Sequence, residues 1–185
     1  MKLFLSACLF LITNLAFSQS KPNGAIRFHA SYSTDNEELR DLIQFEGIDY
    51  LRLKFTGENL RNKKYALSVK EIWDGKVRSE SVVVNSADAP TKELSMVNDT
   101  VFNIKVISRL TSKNRLRMSF RFPSMGTVRE YDAVESDDYS LRIVPEPDGT
   151  ALIEPGKKFY LLAYILPYEK DGSKYWCAVE DSGKD

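Results

Sequence analysis

The chain has 185 residues, with 26 basic and 26 acidic side chains, one histidine and two cysteines. Balanced charge gives no general attraction to nucleic acid or to an anionic membrane. Seven prolines and nine glycines are ordinary usage, so long disorder is not expected, and the length fits one domain with a normal core.

Lys2 opens an almost unbroken apolar run, Leu3 to Phe17, closed by Ser18-Gln19-Ser20. A positive start, an apolar centre and a small-residue exit form the pattern of a secretory signal peptide. Ala16 and Ser18 occupy the small-residue positions before a cut, which places cleavage between Ser18 and Gln19. The run falls short of the about 20 apolar residues of a spanning helix. The reading is therefore a signal peptide over 1–18 and one exported domain over 19–185, secreted or periplasmic, with no transmembrane segment after cleavage. Removing 1–18 takes away Lys2 and no acid, leaving a net charge of −1.

Leu5-Ser6-Ala7-Cys8 resembles a bacterial lipobox, which would instead anchor the chain by a lipid on Cys8. The apolar run continues past Cys8 through Ile12, however, and an h-region spans about 7–15 residues, so Cys8 lies inside it. The Ala-Phe-Ser-Gln exit resembles export signals common in Bacteroidota. After cleavage Cys177 is the one remaining cysteine, so no intramolecular disulfide can form. The fold must stand on its apolar core, and Cys177 reads as a small buried hydrophobe.

Period-two alternation dominates the mature chain and marks strands with one buried face. Ile26, Phe28, Ala30 and Tyr32 alternate with Arg27, His29, Ser31 and Ser33. Thr34 followed by Glu37 has the capping-box spacing, with Leu39, Leu42 and Ile43 on one face, so a short helix is expected next. Leu51, Leu53 and Phe55 alternate with Arg52 and Lys54. Asp74-Gly75 suits a type I′ hairpin turn. That register sets Ile72 against Val77, Glu71 against Arg78, Leu67 against Val82 and Tyr65 against Val84. Leu116 to Phe122 and Tyr139 to Ile143 alternate again. Phe159 to Leu166 is apolar on both faces, which predicts a central strand leading a C-terminal hairpin over Lys158 to Val179. Asn98-Asp99, Ser112-Lys113-Asn114, Pro147-Asp148-Gly149 and Lys170-Asp171-Gly172-Ser173 read as breaks. Short turns, one short helix and no βαβ rhythm predict an all-β antiparallel sandwich, with an immunoglobulin-like topology expected from strand count and spacing.

Chemistry is sparse. His29 is the only histidine, which removes two-histidine zinc sites and leaves a Ser-His-Asp triad without a GxSxG elbow. It reads as a solvent-facing strand residue. No GxGxxG, GxxxxGK[ST] or CxxC occurs, and no cofactor, metal or nucleic-acid partner is expected. Glu130, Asp132, Glu135, Asp137 and Asp138 crowd one acidic segment, read as a loop. A glycosidase needs two carboxyls about 5–10 Å apart, so the alternative function is a hydrolase of a surface glycan using Glu135 or Asp137.

Arg115, Arg117 and Arg121, with Arg109 on the preceding strand, should share one polar sheet face that could meet an anionic glycan or be balanced by acids. Trp73 stands at a hairpin tip, where an indole is hard to bury, and with Tyr168 it is the expected binding aromatic. Tyr175 and Trp176 are read as packing residues. Asp99-Thr100-Val101 resembles the short O-glycosylation sequon of exported Bacteroidota proteins. The expected function is an exported, non-enzymatic binding or structural module of the cell envelope, a monomer or weak oligomer engaging a protein or glycan.

Overall fold

A computed structural model describes residues 24–111, 114–136, 138–145 and 148–176. Residues 1–18, read as a signal peptide from sequence, and Asp137, Cys177 and Val179 lie outside these residues. In chain order the elements are β1 (Ile26–Tyr32), α1 (Glu37–Phe45), β2 (Asp49–Thr56), β3 (Ala66–Trp73), β4 (Lys76–Asn85), α2 (Lys92–Ser95) and β5 (Val101–Thr111). They continue with β6 (Arg115–Arg121), β7 (Gly126–Asp132), β8 (Ser140–Ile143), β9 (Asp148–Ile153), β10 (Leu162–Ile165), β11 (Tyr168–Lys170) and β12 (Ser173–Tyr175). The protein is all-β. No helix among the described residues is long and apolar enough to cross a membrane.

The alternating segments build one antiparallel sheet in the order β7-β6-β5-β2-β1-β9. Its inner face carries Ile26 and Phe28, Leu51, Leu53 and Phe55, Phe102, Ile104 and Val106, then Leu116, Met118 and Phe120. Each of these is flanked along its strand by a solvent-facing or half-buried residue, as a one-sided strand requires. The second layer is two separate strand pairs, β3–β4 and β8–β10. They lay Leu67, Val69, Val83, Val84, Leu141, Ile143, Leu162 and Tyr164 on that face, which makes the body a β-sandwich. An immunoglobulin-like topology is not shown. Six strands share one sheet, where immunoglobulin domains divide seven between sheets of four and three.

The β3–β4 turn is type I′, with φ of 51° at Asp74 and 72° at Gly75. Ile72 does face Val77, but two bulges then shift the register, pairing Glu71 with Ser79, Ser68 with Val82 and Leu67 with Val84. The expected Glu71–Arg78, Leu67–Val82 and Tyr65–Val84 pairs are therefore not formed. Arg78 and Val83 are the extra residues. Ser79 Oγ donates to Glu71 Oε1 at 2.6 Å in place of Arg78, which is freed to turn outward. The second bulge lets consecutive Val83 and Val84 both reach the core.

Four further expectations are corrected. Asn36, not Thr34, caps α1, its Oδ1 accepting from Leu39 N at 2.8 Å. A second helix of one turn, α2, follows β4, capped by Thr91. Asp148-Gly149 begins β9 rather than breaking the chain, because φ of 90° at Gly149 lets the backbone pass beneath the His29 ring. The Phe159–Leu166 run forms only the short β10, paired to β8 alone. Residues 157–161 are irregular and reach the β3–β4 hairpin through Lys158–Glu80 and Lys70–Tyr160. Among the described residues the C-terminal hairpin spans Tyr168–Tyr175.

At one end of the sandwich Asp49 stands opposite Ser108 on the inner face, under Tyr164 of the second layer. Burial raises the Asp49 carboxyl above its ordinary value, with the Tyr164 hydroxyl and Arg142 opposing in part. Burial and the Asp49 charge raise the Tyr164 hydroxyl well above 10.0. Native Tyr164 thus keeps a proton that the unfolded chain releases near 10.0. Its contribution to stability is full below that pH and is lost as pH rises through and beyond it. Denaturant titrations at pH 8 and above pH 10 should therefore show a shallower alkaline loss for Tyr164→Phe than for the parent chain.

Candidate functional site

The basic row read along β6 is divided by its neighbours. Asp132 on β7 ion-pairs with Arg115, and Arg115 Nη2 also donates to Glu130 O at 3.3 Å. Arg109 pairs with Glu46 at 3.3 Å, and Arg117 lies directly opposite Glu130. These three arginines form a solvated face balanced by acids. Arg121 differs, since its cross-strand partner is Lys105.

The acidic segment is not one loop. Glu130 and Asp132 belong to β7, Glu135 is exposed beyond it, and Asp138 pairs with Lys174 at 2.6 Å. Asp132 and Asp138 thus answer separate cations. Among the described residues no three His, Cys, Asp or Glu side chains gather where a metal ion could be held. Asp99 Oδ1 accepts from Thr100 N at 2.6 Å, so the sequon-like triplet sits in a tight bend.

The structure does join Trp73 to this edge. The Arg78 guanidinium, turned outward by its bulge, lies 5.4 Å from the Trp73 ring centroid and 3.0 Å from Asp132 Oδ2. Asp132 therefore holds Arg78 and Arg115 together. Trp73 is half-buried rather than plugged into the core. Tyr168 is 45% exposed and stacks on Tyr175 at 5.5 Å in the separate β11–β12 hairpin, so the two expected aromatics share no site among the contacts seen. Tyr175 is 39% exposed, not a core residue. Trp176 is half-buried, donating from Nε1 to Asp138 O at 2.9 Å. His29 is exposed on β1, as its alternation implies.

Arg78 and Asp132 mark one end of a seam between the layers. Among the described residues β4 is paired only to β3 and β7 ends the main sheet, so each has an edge without a strand partner there. Side chains cross the gap in place of a backbone ladder, with Arg129 Nη2 donating to Val83 O at 3.4 Å. Farther along, the seam opens into a groove of about 510 Å3 lined by Val82, Val84, Ala89, Pro90, Leu94 and Met125. Val82 is 63% exposed there, an unusual place for a bare valine. Sequence reasoning missed Arg78, Arg129 and Met125. The bulge that turns Arg78 outward leaves no mark in an alternating pattern, and β7 was not recognised as a strand.

No protein-family model, curated protein or solved structure matches this chain.

Truncating Trp73 should cost about 1 kcal/mol, the scale of an exposed cation–π contact. A core tryptophan would lose about 3–5 kcal/mol. A thermal melt of Trp73→Ala beside Arg78→Ala checks this, and Arg78→Ala should destabilise at least as much because it loses the Asp132 ion pair as well as the ring contact.

Proposed function

We propose that the chain is an exported, non-enzymatic binding module that takes an extended segment of a protein partner along the β4–β7 seam. One observation carries this reading: among the described residues, two strand edges without strand partners flank an open apolar groove. Strand edges attract extended backbone through their unpaired N–H and C=O groups, and flanking pockets select side chains. Trp73 and Arg78 at the far end belong to the residue types that dominate binding energy at protein interfaces. The Asp132 anchor fixes the Arg78 guanidinium before any partner arrives, which lowers the ordering cost of contact.

The ion pairs of Asp132 and Asp138 favour this over hydrolysis by those two carboxylates. Asp132 is engaged by two arginines and Asp138 by a lysine. Charge-paired surface carboxylates serve poorly as the acid and base of glycoside cleavage, which requires one carboxyl held protonated.

A photoactivatable residue placed at Met125 in the mature chain should trap a protein from the envelope fraction, and one at Gln44 on α1 should not. Val82→Lys should cut the Met125 yield several-fold by placing an ammonium in the groove. Equal trapping at both positions, unaffected by Val82→Lys, would retire the seam as the recognition surface.

A further inference from the structure

The outer face of the main sheet carries a charge pattern that the seam does not use. Arg27 on β1, Lys54 on β2, Lys105 on β5 and Arg121 on β6 are all exposed there. Their registers connect them. Arg27 lies opposite Thr56 and His29 opposite Lys54, so Arg27 and Lys54 are diagonal neighbours. Lys54 lies opposite Asn103 and Arg52 opposite Lys105, which makes Lys54 and Lys105 diagonal neighbours in turn. Lys105 and Arg121 are directly opposite. Four cations thus form one oblique stripe over four adjacent strands. Among the described residues none of Lys54, Lys105 and Arg121 has a hydrogen bond or an ion pair.

The acids nearby are occupied. Asp35 is clamped by Arg52 at 2.9 and 3.2 Å, and Asp148, opposite His29, accepts from Thr150 N and Oγ1. Lys54, Lys105 and Arg121 are therefore left without an ion-pair partner among the described residues, although the overall charge of the chain is balanced.

We propose that the stripe is a binding track for a linear acidic polysaccharide running obliquely across the strands. Successive stripe positions are about 5–8 Å apart at Cβ, a step that long Lys and Arg side chains adjust to the repeat of a uronate-bearing chain. The stripe runs across four strands, which suits an extended polymer better than a compact anion. No Phe, Tyr or Trp is interleaved among Arg27, Lys54, Lys105 and Arg121, and proteins that hold single-stranded nucleic acid combine cations with aromatic platforms for the bases. A sheet face also offers nothing that enters a duplex groove. His29 and Asn103, on either side of Lys54, supply polar groups for sugar hydroxyls.

The test uses the full mature chain with polygalacturonate as probe, beside neutral dextran and oligothymidylate. Polygalacturonate should bind at low salt and weaken as salt rises, and dextran should not bind. The triple variant Lys54→Gln, Lys105→Gln, Arg121→Gln should bind at least tenfold more weakly. Its salt dependence should flatten by roughly one unit per cation removed, by analogy with counterion release from nucleic acids. A control triple, Lys76→Gln, Lys157→Gln, Lys170→Gln, removes the same charge elsewhere and should bind like the parent. Melting temperatures of both triples should match the parent or exceed it, which separates lost binding from lost fold. Equal weakening by both triples, no binding of polygalacturonate, or stronger binding of oligothymidylate would each overturn the proposal. Trapping at Met125 is a separate measurement, so the seam and the stripe can fail independently.

Discussion

An aromatic cluster at one end of the inner face ties the layers together. Phe28 lies 5.2 Å from Phe55, Phe55 lies 6.4 Å from Phe102, and Phe102 lies 6.4 Å from Phe122, so the rings span β1, β2, β5 and the end of β6. Tyr65, immediately before β3, closes on Phe102 at 4.6 Å and on Phe122 at 5.4 Å. Each buried ring contributes about 1.5–3 kcal/mol of transfer free energy, and each tilted or stacked pair adds about 0.5–1.5 kcal/mol. The exposed ion pairs are worth about 0–1 kcal/mol each.

That anchorage has a consequence for the open seam. Tyr65 fixes the start of β3, and Ser86 fixes the end of β4 by accepting from Tyr65 N and donating to Ser95 O. The far end of the hairpin, with Trp73 and Arg78, meets the edge of the main sheet through side chains, and Lys158 and Tyr160 reach Glu80 and Lys70 behind it. One end of the seam is thus set by the core and the other by ion pairs that salt can weaken. A groove with a rigid end and an adjustable end fits a partner segment better than a closed ladder between β4 and β7 would.

The fold class was legible because its cause is local. Alternation in Ile26–Tyr32, Leu51–Phe55 and Leu116–Arg121 dictates a one-sided strand whatever its neighbours are, and Asp74-Gly75 dictates its turn. The departures come from partners that alternation does not specify. Bulges at Arg78 and Val83 depend on what Glu71 and the core accept across the hairpin. The doubly apolar Phe159–Leu166 run is split because its first residues contact β3–β4 instead of joining a ladder. The candidate surfaces were legible only residue by residue. Trp73, Arg115 and Asp132 stood out in sequence, but their connection runs through Arg78. Arg121 stood out as a member of a row along β6, and its actual row runs across strands. Only the order β7-β6-β5-β2-β1-β9 places Lys105 and Lys54 beside it.

The same strand order puts like charges face to face three times, with different outcomes, and the Arg52–Lys105 pair is relieved by Asp35 on Arg52. Arg109 and Arg117 are directly opposite, and Glu46 and Glu130 relieve them. Lys105 and Arg121 are directly opposite with no comparable relief among the described residues. Like charges in that position oppose pairing, by roughly 0.2–1 kcal/mol per pair. The sheet tolerates this because Val106 and Phe120, one residue away on the inner face, are almost fully buried and set the register regardless. An anion laid on the stripe would remove the repulsion as it binds, so ligand affinity and sheet stability are linked through one pair of residues. Anion binding there should raise the melting temperature of the parent chain, and a Lys105→Gln chain should gain less from the same anion because its repulsion is already gone.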